Sequence, residues 1–204
     1  MIKKSVYPKT TRVSCSPARV VVTEKLDGSN LCIFKKDGQL YFAQRNNIIA
    51  FDELTEVKSS LYTGLNDWIT ENFDSLNTLN EKSAICCEWI GMGKLKYDGV
   101  LDKRVYMFAK ANITEDFKLE RINYTHEEFL YCFQEQIIPD CIAFVPVVTI
   151  LEKYYSKAIL DELYEEYTTK VNRRVEGFVV NFKNNIEKYV RCKNGKLADH
   201  IDRE

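Results

Sequence analysis

Val20-Val21-Val22-Thr23-Glu24-Lys25-Leu26-Asp27-Gly28-Ser29-Asn30 is the stretch on which the reading of this chain turns. Its first half, within Ala18 to Thr23, is β-branched and reads as a strand. The second half breaks at Asp27-Gly28. A lysine at such a junction stands at a sheet rim, where it can meet a ligand. Gly28 allows a tight turn and close approach of the backbone to a phosphate. By itself, K-x-D-G is a short signature that a solvated lysine in a turn would also satisfy, so the rest of the chain has to decide.

On the C-terminal side, Ser29 to Lys35 and Gln39 to Gln44 are apolar runs joined across Lys36-Asp37-Gly38. Asp-Gly between two such runs predicts a hairpin, because both residues tolerate positive φ. From Asp52 to Asn80 the period changes. Leu54, Val57, Leu61, Leu65, Trp68, Ile69 and Phe73 recur three or four apart, the stripe of an amphipathic helix, with Gly64 arguing against one unbroken rod. Strands are expected again at Ser83 to Ile90 and Arg104 to Ala109, separated by a loop at Gly91-Met92-Gly93-Lys94. Thr125-His126-Glu127-Glu128 has capping-box form before a short helix. Cys141 to Leu151 reads as a buried strand broken by Pro146, and Ser156 as the cap of a helix carrying Ile159, Leu160, Leu163, Tyr164 and Tyr167. Glu176 to Lys183 and Glu187 to Lys193 close as a hairpin about Asn184-Asn185. With no internal repeat or linker, this is one α+β domain spanning residues 1–204.

The composition fits that reading. A chain of 204 residues buries about 70% of its unfolded surface and needs neither disulfide nor metal to hold a core. Lys plus Arg is 29 against 30 for Asp plus Glu, a net charge of -1, so any nucleic-acid contact must be local. No apolar run is long enough for a membrane helix, and no apolar segment follows the charged Met1-Ile2-Lys3-Lys4 start as a secretory signal requires. The cysteines, at 15, 32, 86, 87, 132, 141 and 192, form no C-x-x-C pair, and with only His126 and His200 they offer no zinc site. Reduced structural thiols and a cytoplasmic location are expected.

Three further stations carry chemistry. Glu88 is an acid in the apolar strand end Cys86-Cys87-Glu88-Trp89-Ile90-Gly91. Glu176-Gly177 opens Phe178-Val179-Val180-Asn181-Phe182, and Arg191 and Lys193 put two cations on one strand face. A lysine, isolated acids and paired cations are what nucleotidyl transfer requires. The amine must lose its proton to attack, and cations or a metal stabilise the charge that develops at phosphorus.

These segments resemble the motifs of the covalent nucleotidyltransferases, the superfamily of ATP-dependent DNA and RNA ligases and mRNA capping enzymes. Lys25-Leu26-Asp27-Gly28 is similar to motif I, Cys87 to Gly91 to motif III, Val105 to Phe108 to IIIa, Val175 to Val180 to motif IV, and Arg191 to Asn194 to motif V. They occur in the family's order from residue 25 to 194. Thr23 to Asn30, Val175 to Val180 and Val190 to Lys196 look most like RNA ligases of the nick-sealing and RNA-editing type.

The resemblance implies an antiparallel-sheet nucleotidyltransferase (ATP-grasp-like ligase adenylation) domain with flanking helices, without an OB-fold or other C-terminal domain. It implies ATP as substrate with Mg²⁺ or Mn²⁺, and Lys25 as the nucleophile that forms a lysyl-AMP. Glu24 and Leu26 would flank adenine through their backbone, and Asp27 and Gly28 would complete the motif I turn. Asn30 would touch the sugar or phosphate, and Arg45 the nucleotide and an RNA 5′-phosphate. Glu88 would bind ribose hydroxyl, Phe108 would stack on adenine, Glu176 would serve the metal, and Arg191 and Lys193 would grip the α-phosphate. The implied partner is RNA with 5′-phosphate and 3′-hydroxyl ends, bound by a monomer, with a protein partner as one source of RNA affinity.

Two departures stand out. Arg191 replaces the lysine that usually opens motif V, and Ala109 follows Phe108 where relatives often carry an acid that orients the motif V cations or another partner. Trp89 and Cys86 read as packing residues, the histidines as bystanders, and the tyrosines are assigned nothing. Lys94 and Lys96 read as a solvated loop. The rival readings are a GTP-using guanylyltransferase, a DNA ligase, or a nucleotide- or RNA-end-binding module that keeps the pocket without turnover.

Overall fold

The computed structural model describes residues 1–6, 11–13, 19–57, 61–97, 99–123, 138–152, 154–182, 185–191 and 197–198. Within them two mainly antiparallel sheets lie face to face. The smaller runs β1-β12-β11-β2-β10, with β1 Thr11–Arg12, β2 Val20–Lys25, β10 Val147–Leu151, β11 Gly177–Phe182 and β12 Asn185–Val190. The larger runs β5-β4-β3-β6-β7-β8, with β3 Ser29–Lys36, β4 Gln39–Ala43, β5 Ile48–Ala50, β6 Ser83–Trp89, β7 Val105–Ile113 and β8 Leu119–Asn123; β9 Ala143–Phe144 pairs in parallel with β7.

Alternation along the strands builds three apolar layers, since successive side chains face opposite sides of a sheet. Leu31, Ile33, Ile85, Cys87 and Trp89 face the helices α1 Leu54–Val57, α2 Leu65–Glu71 and α3 Phe73–Leu76, meeting Leu54, Leu65, Trp68, Ile69 and Leu76. Cys32, Phe34, Ala84, Cys86 and Ala109 face the other way and, with Val179 and Ile186, fill the space between the sheets. Outside the smaller sheet, Val20, Val22, Phe178, Val180 and Tyr189 pack under α4 Lys157–Val171 through Leu160, Leu163, Tyr164 and Tyr167. Each fully buried Val, Leu, Ile or Phe among them contributes about 1.5–3 kcal/mol.

Local signals explain the connections. Asp37 (φ 53°) and Gly38 (φ 75°) both adopt the left-handed conformation, the two-residue turn whose twist matches the strands it joins. The expected long helix is split: a 3₁₀ turn at Phe51–Glu53 and α1 precede α2, and Gly64, at φ 78°, stands at the N-terminus of α2. Ser156 caps α4 by accepting from the Ile159 N–H at 3.4 Å. The strand expected to end at Ala109 continues to Ile113 and pairs with β8, which the sequence reading left out. The helix expected after Thr125 lies outside the described residues, as do the turn at 183–184 and Lys193. No described helix is long and apolar enough to cross a membrane.

One irregularity matters for the site. β6 and β7 pair Cys86 with Ala109 but Cys87 with Met107, so Phe108 is the extra residue of a β-bulge. Met107 therefore faces the helices while Ala109 faces the other sheet, and Phe108 turns toward the cleft between the sheets.

Candidate active site

The cleft holds a cavity of about 130 Å³. β2 brings Lys25 to it with Leu26 just beyond the strand, β3 brings Asn30, β6 Glu88, β7 the bulged Phe108, and β11 Val179. Segments far apart in the chain, such as those of Thr23 and Val179, 156 residues apart, thus meet here because both sheets turn their inner faces to it.

Lys25 ends β2 opposite Gly177, the first residue of β11. That register sets Glu176 beside it, and the Lys25 Nζ donates to Glu176 Oε2 at 2.6 Å. Lys25 is 22% exposed and Glu176 1%, so the lysine reaches solvent while the acid does not.

Glu88 is held from the other sheet. It sits opposite Asn30 in the β3–β6 register, and the Gly28 N–H donates to its carboxylate. Burial pushes the Glu88 carboxyl up to about 8, with Glu176 and Asp27 adding to the shift and Lys25 and the Gly28 N–H opposing it.

The need for glycine at 28 differs from the expected one. Its backbone is not left-handed. A Cβ there would stand 2.4 Å from Trp89 O and 2.9 Å from Glu88 Cγ, so the close approach is to β6 itself, and it is what delivers the Gly28 N–H to Glu88.

Asp27 organises the adjoining loop. Its carboxylate accepts the N–H groups of Lys94 and Leu95, the latter at 2.7 Å, and its own N–H donates to the Tyr97 hydroxyl at 2.8 Å. Glu24 offers only its backbone to the cavity. Its side chain crosses to the α4 side, where Arg173 grips both carboxylate oxygens at 2.6 Å and the Tyr167 hydroxyl donates at 2.7 Å. The Arg173 guanidinium also lies 5.5 Å over the Tyr97 ring. Burial raises the Tyr97 and Tyr167 hydroxyls well above the ordinary tyrosine value.

Arg45 lies exposed in the β4–β5 turn, where its N–H donates to the Tyr62 hydroxyl, which in turn donates to Asn30 O at 3.1 Å. Arg191, expected at the α-phosphate, does not line the cavity. It pairs with Glu165 on α4 and lies 5.5 Å over the Tyr164 ring, because odd-numbered residues of β12, such as Tyr189, face α4. Ala109 sits in the apolar inter-sheet cluster, where an unpartnered acid would cost several kcal/mol.

Tyr62, Tyr97, Tyr167 and Arg173 escaped the sequence reading. Their partners are remote in the chain, 149 residues separating Arg173 from Glu24, and no local pattern marks them.

The sequence model described as RNA ligase matches residues 18–194. The chain belongs to the RNA ligase family. Solved structures similar to this RNA ligase family member include Naegleria gruberi RNA ligases with ATP and Mn. One has 19% identity and TM-score 0.57 over 86% of this chain and 49% of that chain. Another has 17% identity and TM-score 0.59 over 90% and 57%. A putative ATP-dependent DNA ligase from Aquifex aeolicus has 17% identity and TM-score 0.55 over 90% and 49%. The chain thus spans about half to three-fifths of the length of these relatives, and at these identities the likeness is one of fold. Comparison with curated proteins returns no match.

Proposed function

We propose that this chain is the nucleotidyltransferase unit of an ATP-dependent RNA ligase that adenylylates itself on Lys25. The observation that carries this reading is the 2.6 Å contact of Lys25 with Glu176 at the mouth of a cavity lined by Asn30, Glu88 and Phe108. The neutral Lys25 amine attacks the α-phosphorus of ATP. The Nζ–P bond forms, the bond to the β-phosphate oxygen breaks, and pyrophosphate leaves. The proton shed by Lys25 has its nearest acceptor in Glu176.

The Glu176 carboxylate beside the nucleophile is a hard oxygen donor of the kind a divalent cation takes, with the other ligands drawn from water and phosphate. Glu176 would hold Mg²⁺ or Mn²⁺ there, and the ion when bound supplies charge that stabilises the phosphoryl oxygens. Glu88, protonated near neutrality, can donate to a ribose oxygen, and Phe108 offers a face to the base. In the later steps an RNA 5′-phosphate oxygen displaces Lys25 from AMP, and a 3′-hydroxyl then displaces AMP to join the ends.

Intact mass after incubation with ATP and Mg²⁺ tests the first step. An added AMP that is absent in Lys25→Ala supports it; labelling that persists in that variant removes Lys25 from the role. Preference for GTP would favour a guanylyltransferase. A second reading, a module that binds nucleotide or RNA ends without turnover, draws support from the engagement of Arg191 with Glu165. Sealing of a nicked duplex or of a single-stranded 5′-phosphate RNA would exclude it.

A further inference from the structure

On the rim of the larger sheet, one cation lies outside every motif and outside the chemistry proposed above. Arg104, just before β7, is exposed, and its backbone carbonyl accepts the Ile90 N–H at 2.8 Å. Its guanidinium lies 4.8 Å over the buried ring of Trp89, the residue after Glu88. Two glycines stand beside it. A Cβ on Gly64 would come to 3.6 Å from Arg104 Nη2, and one on Gly91 to 3.3 Å, so a larger side chain at either position would crowd the guanidinium. Among the described residues no carboxylate pairs with it; Asp102 receives the Tyr106 hydroxyl instead, at 3.0 Å. Stacking on a ring orients a guanidinium without consuming its N–H donors, which stay available for a phosphate.

Its position gives those donors a use. Gly64 belongs to a turn closed by the Leu65 N–H on Tyr62 O at 3.0 Å. From the same turn the Tyr62 hydroxyl receives the Arg45 N–H at 3.4 Å and donates to Asn30 O at 3.1 Å. Arg104 and Arg45 therefore flank a single turn that touches the cavity lining. Gly91, on the other side of Arg104, opens the loop that exposes Lys94 and Lys96. In a chain of net charge -1, cations gathered beside the cavity form the local basic surface that contact with a nucleic-acid backbone requires.

We propose that Arg104, braced on Trp89, binds a backbone phosphate of the RNA substrate outside the nucleotide cavity. This rests on the ligase reading of the site. A phosphate contact of this kind positions the strand and reads no base.

The test titrates a 5′-phosphate RNA by fluorescence anisotropy over a salt series without ATP, and measures AMP addition separately. Arg104→Met keeps an apolar stem over Trp89 and removes the charge. It should bind RNA about tenfold more weakly at low salt. The slope of log affinity against log salt should become shallower by about one. ATP KM and AMP addition should stay unchanged, which also reports that the variant folds. Arg104→Lys should restore the slope but only part of the affinity, because a point charge replaces the fork. Arg19→Met removes an exposed cation held by Glu152 at 3.0 Å and serves as the control, with RNA affinity within about twofold of wild type. Unchanged RNA affinity in Arg104→Met overturns the proposal, as does an equal loss in Arg19→Met, which would report net charge alone. A raised ATP KM with RNA affinity intact overturns it in favour of the triphosphate tail. A wild type that takes up AMP but shows no salt-dependent RNA binding overturns it and leaves adenylylation standing. A wild type that binds RNA with the expected Arg104 dependence but takes up no AMP sinks the adenylylation reading instead.

Discussion

Replacing Arg173 by alanine should be among the most damaging single changes outside the cavity. Glu24 has a side chain with 0% exposure, and Arg173 is its bidentate partner at 2.6 Å on both oxygens. After Arg173→Ala the carboxylate keeps the Tyr167 hydroxyl at 2.7 Å but no cation to balance its charge among the described contacts. Removing one member of a buried pair strands the other charge and costs about 3–5 kcal/mol. For a chain of this size each kcal/mol lowers Tm by roughly 2–4 °C, so a fall of about 6–20 °C is expected. Urea and thermal unfolding measure it. Arg173→Lys should recover part, since the charge returns but the two-pronged geometry does not. Glu24→Gln combined with Arg173→Met should recover most, because no charge is then left buried. The damage should also raise the ATP KM, as Glu24 lends its backbone to the cavity. A loss below about 1 kcal/mol for Arg173→Ala would refute the reasoning, for it would mean that water reaches Glu24 and takes the place of the arginine.

Other perturbations follow from the same geometry. A carboxyl held at about 8 when folded, against an ordinary 4.5, binds a proton more tightly in the folded state. Its contribution to stability is therefore complete below about 4.5 and is lost as pH rises to about 8. Urea midpoints at pH 5, 7 and 9 should fall more steeply for the wild type than for Glu88→Gln; parallel profiles would argue against a raised Glu88. Gly28→Ala pushes a Cβ to within 2.4 Å of the Trp89 carbonyl, so it should cost about 1–3 kcal/mol and, by displacing the Gly28 N–H from Glu88, slow AMP addition at saturating ATP. Unchanged stability would mean that the turn moves freely. Asp27→Ala frees the Lys94 and Leu95 N–H groups, so limited proteolysis between residues 91 and 97 should accelerate several-fold while Asp27→Asn is intermediate.

Much of this site was legible because its chemistry sits where local signals change. Lys25, Glu88 and Glu176 are each an ionisable residue at or next to the end of an apolar strand, where the sheet positions a side chain at the rim of the cleft. The Asp37-Gly38 turn was readable for a related reason, since few residues accept two successive left-handed conformations. The bulge at Phe108 was not, because a strand with one extra residue keeps the composition of a regular one and differs only in what it pairs with.

By itself the sequence determined the strand alternation, the turn chemistry and the set of groups available for phosphoryl transfer, all of which are encoded within a few neighbouring residues. Only the tertiary structure decided which of those groups meet. The β2–β11 register brought Lys25 to Glu176, while the handedness of alternation along β12 sent Arg191 to Glu165 on the opposite face. It also recruited Arg173, Tyr167 and Tyr97 around Glu24 and left Asn181 Oδ1 without a donor among the described residues. Pairing and burial act between segments far apart in the chain, and a one-residue change of register would have exchanged every one of these partners.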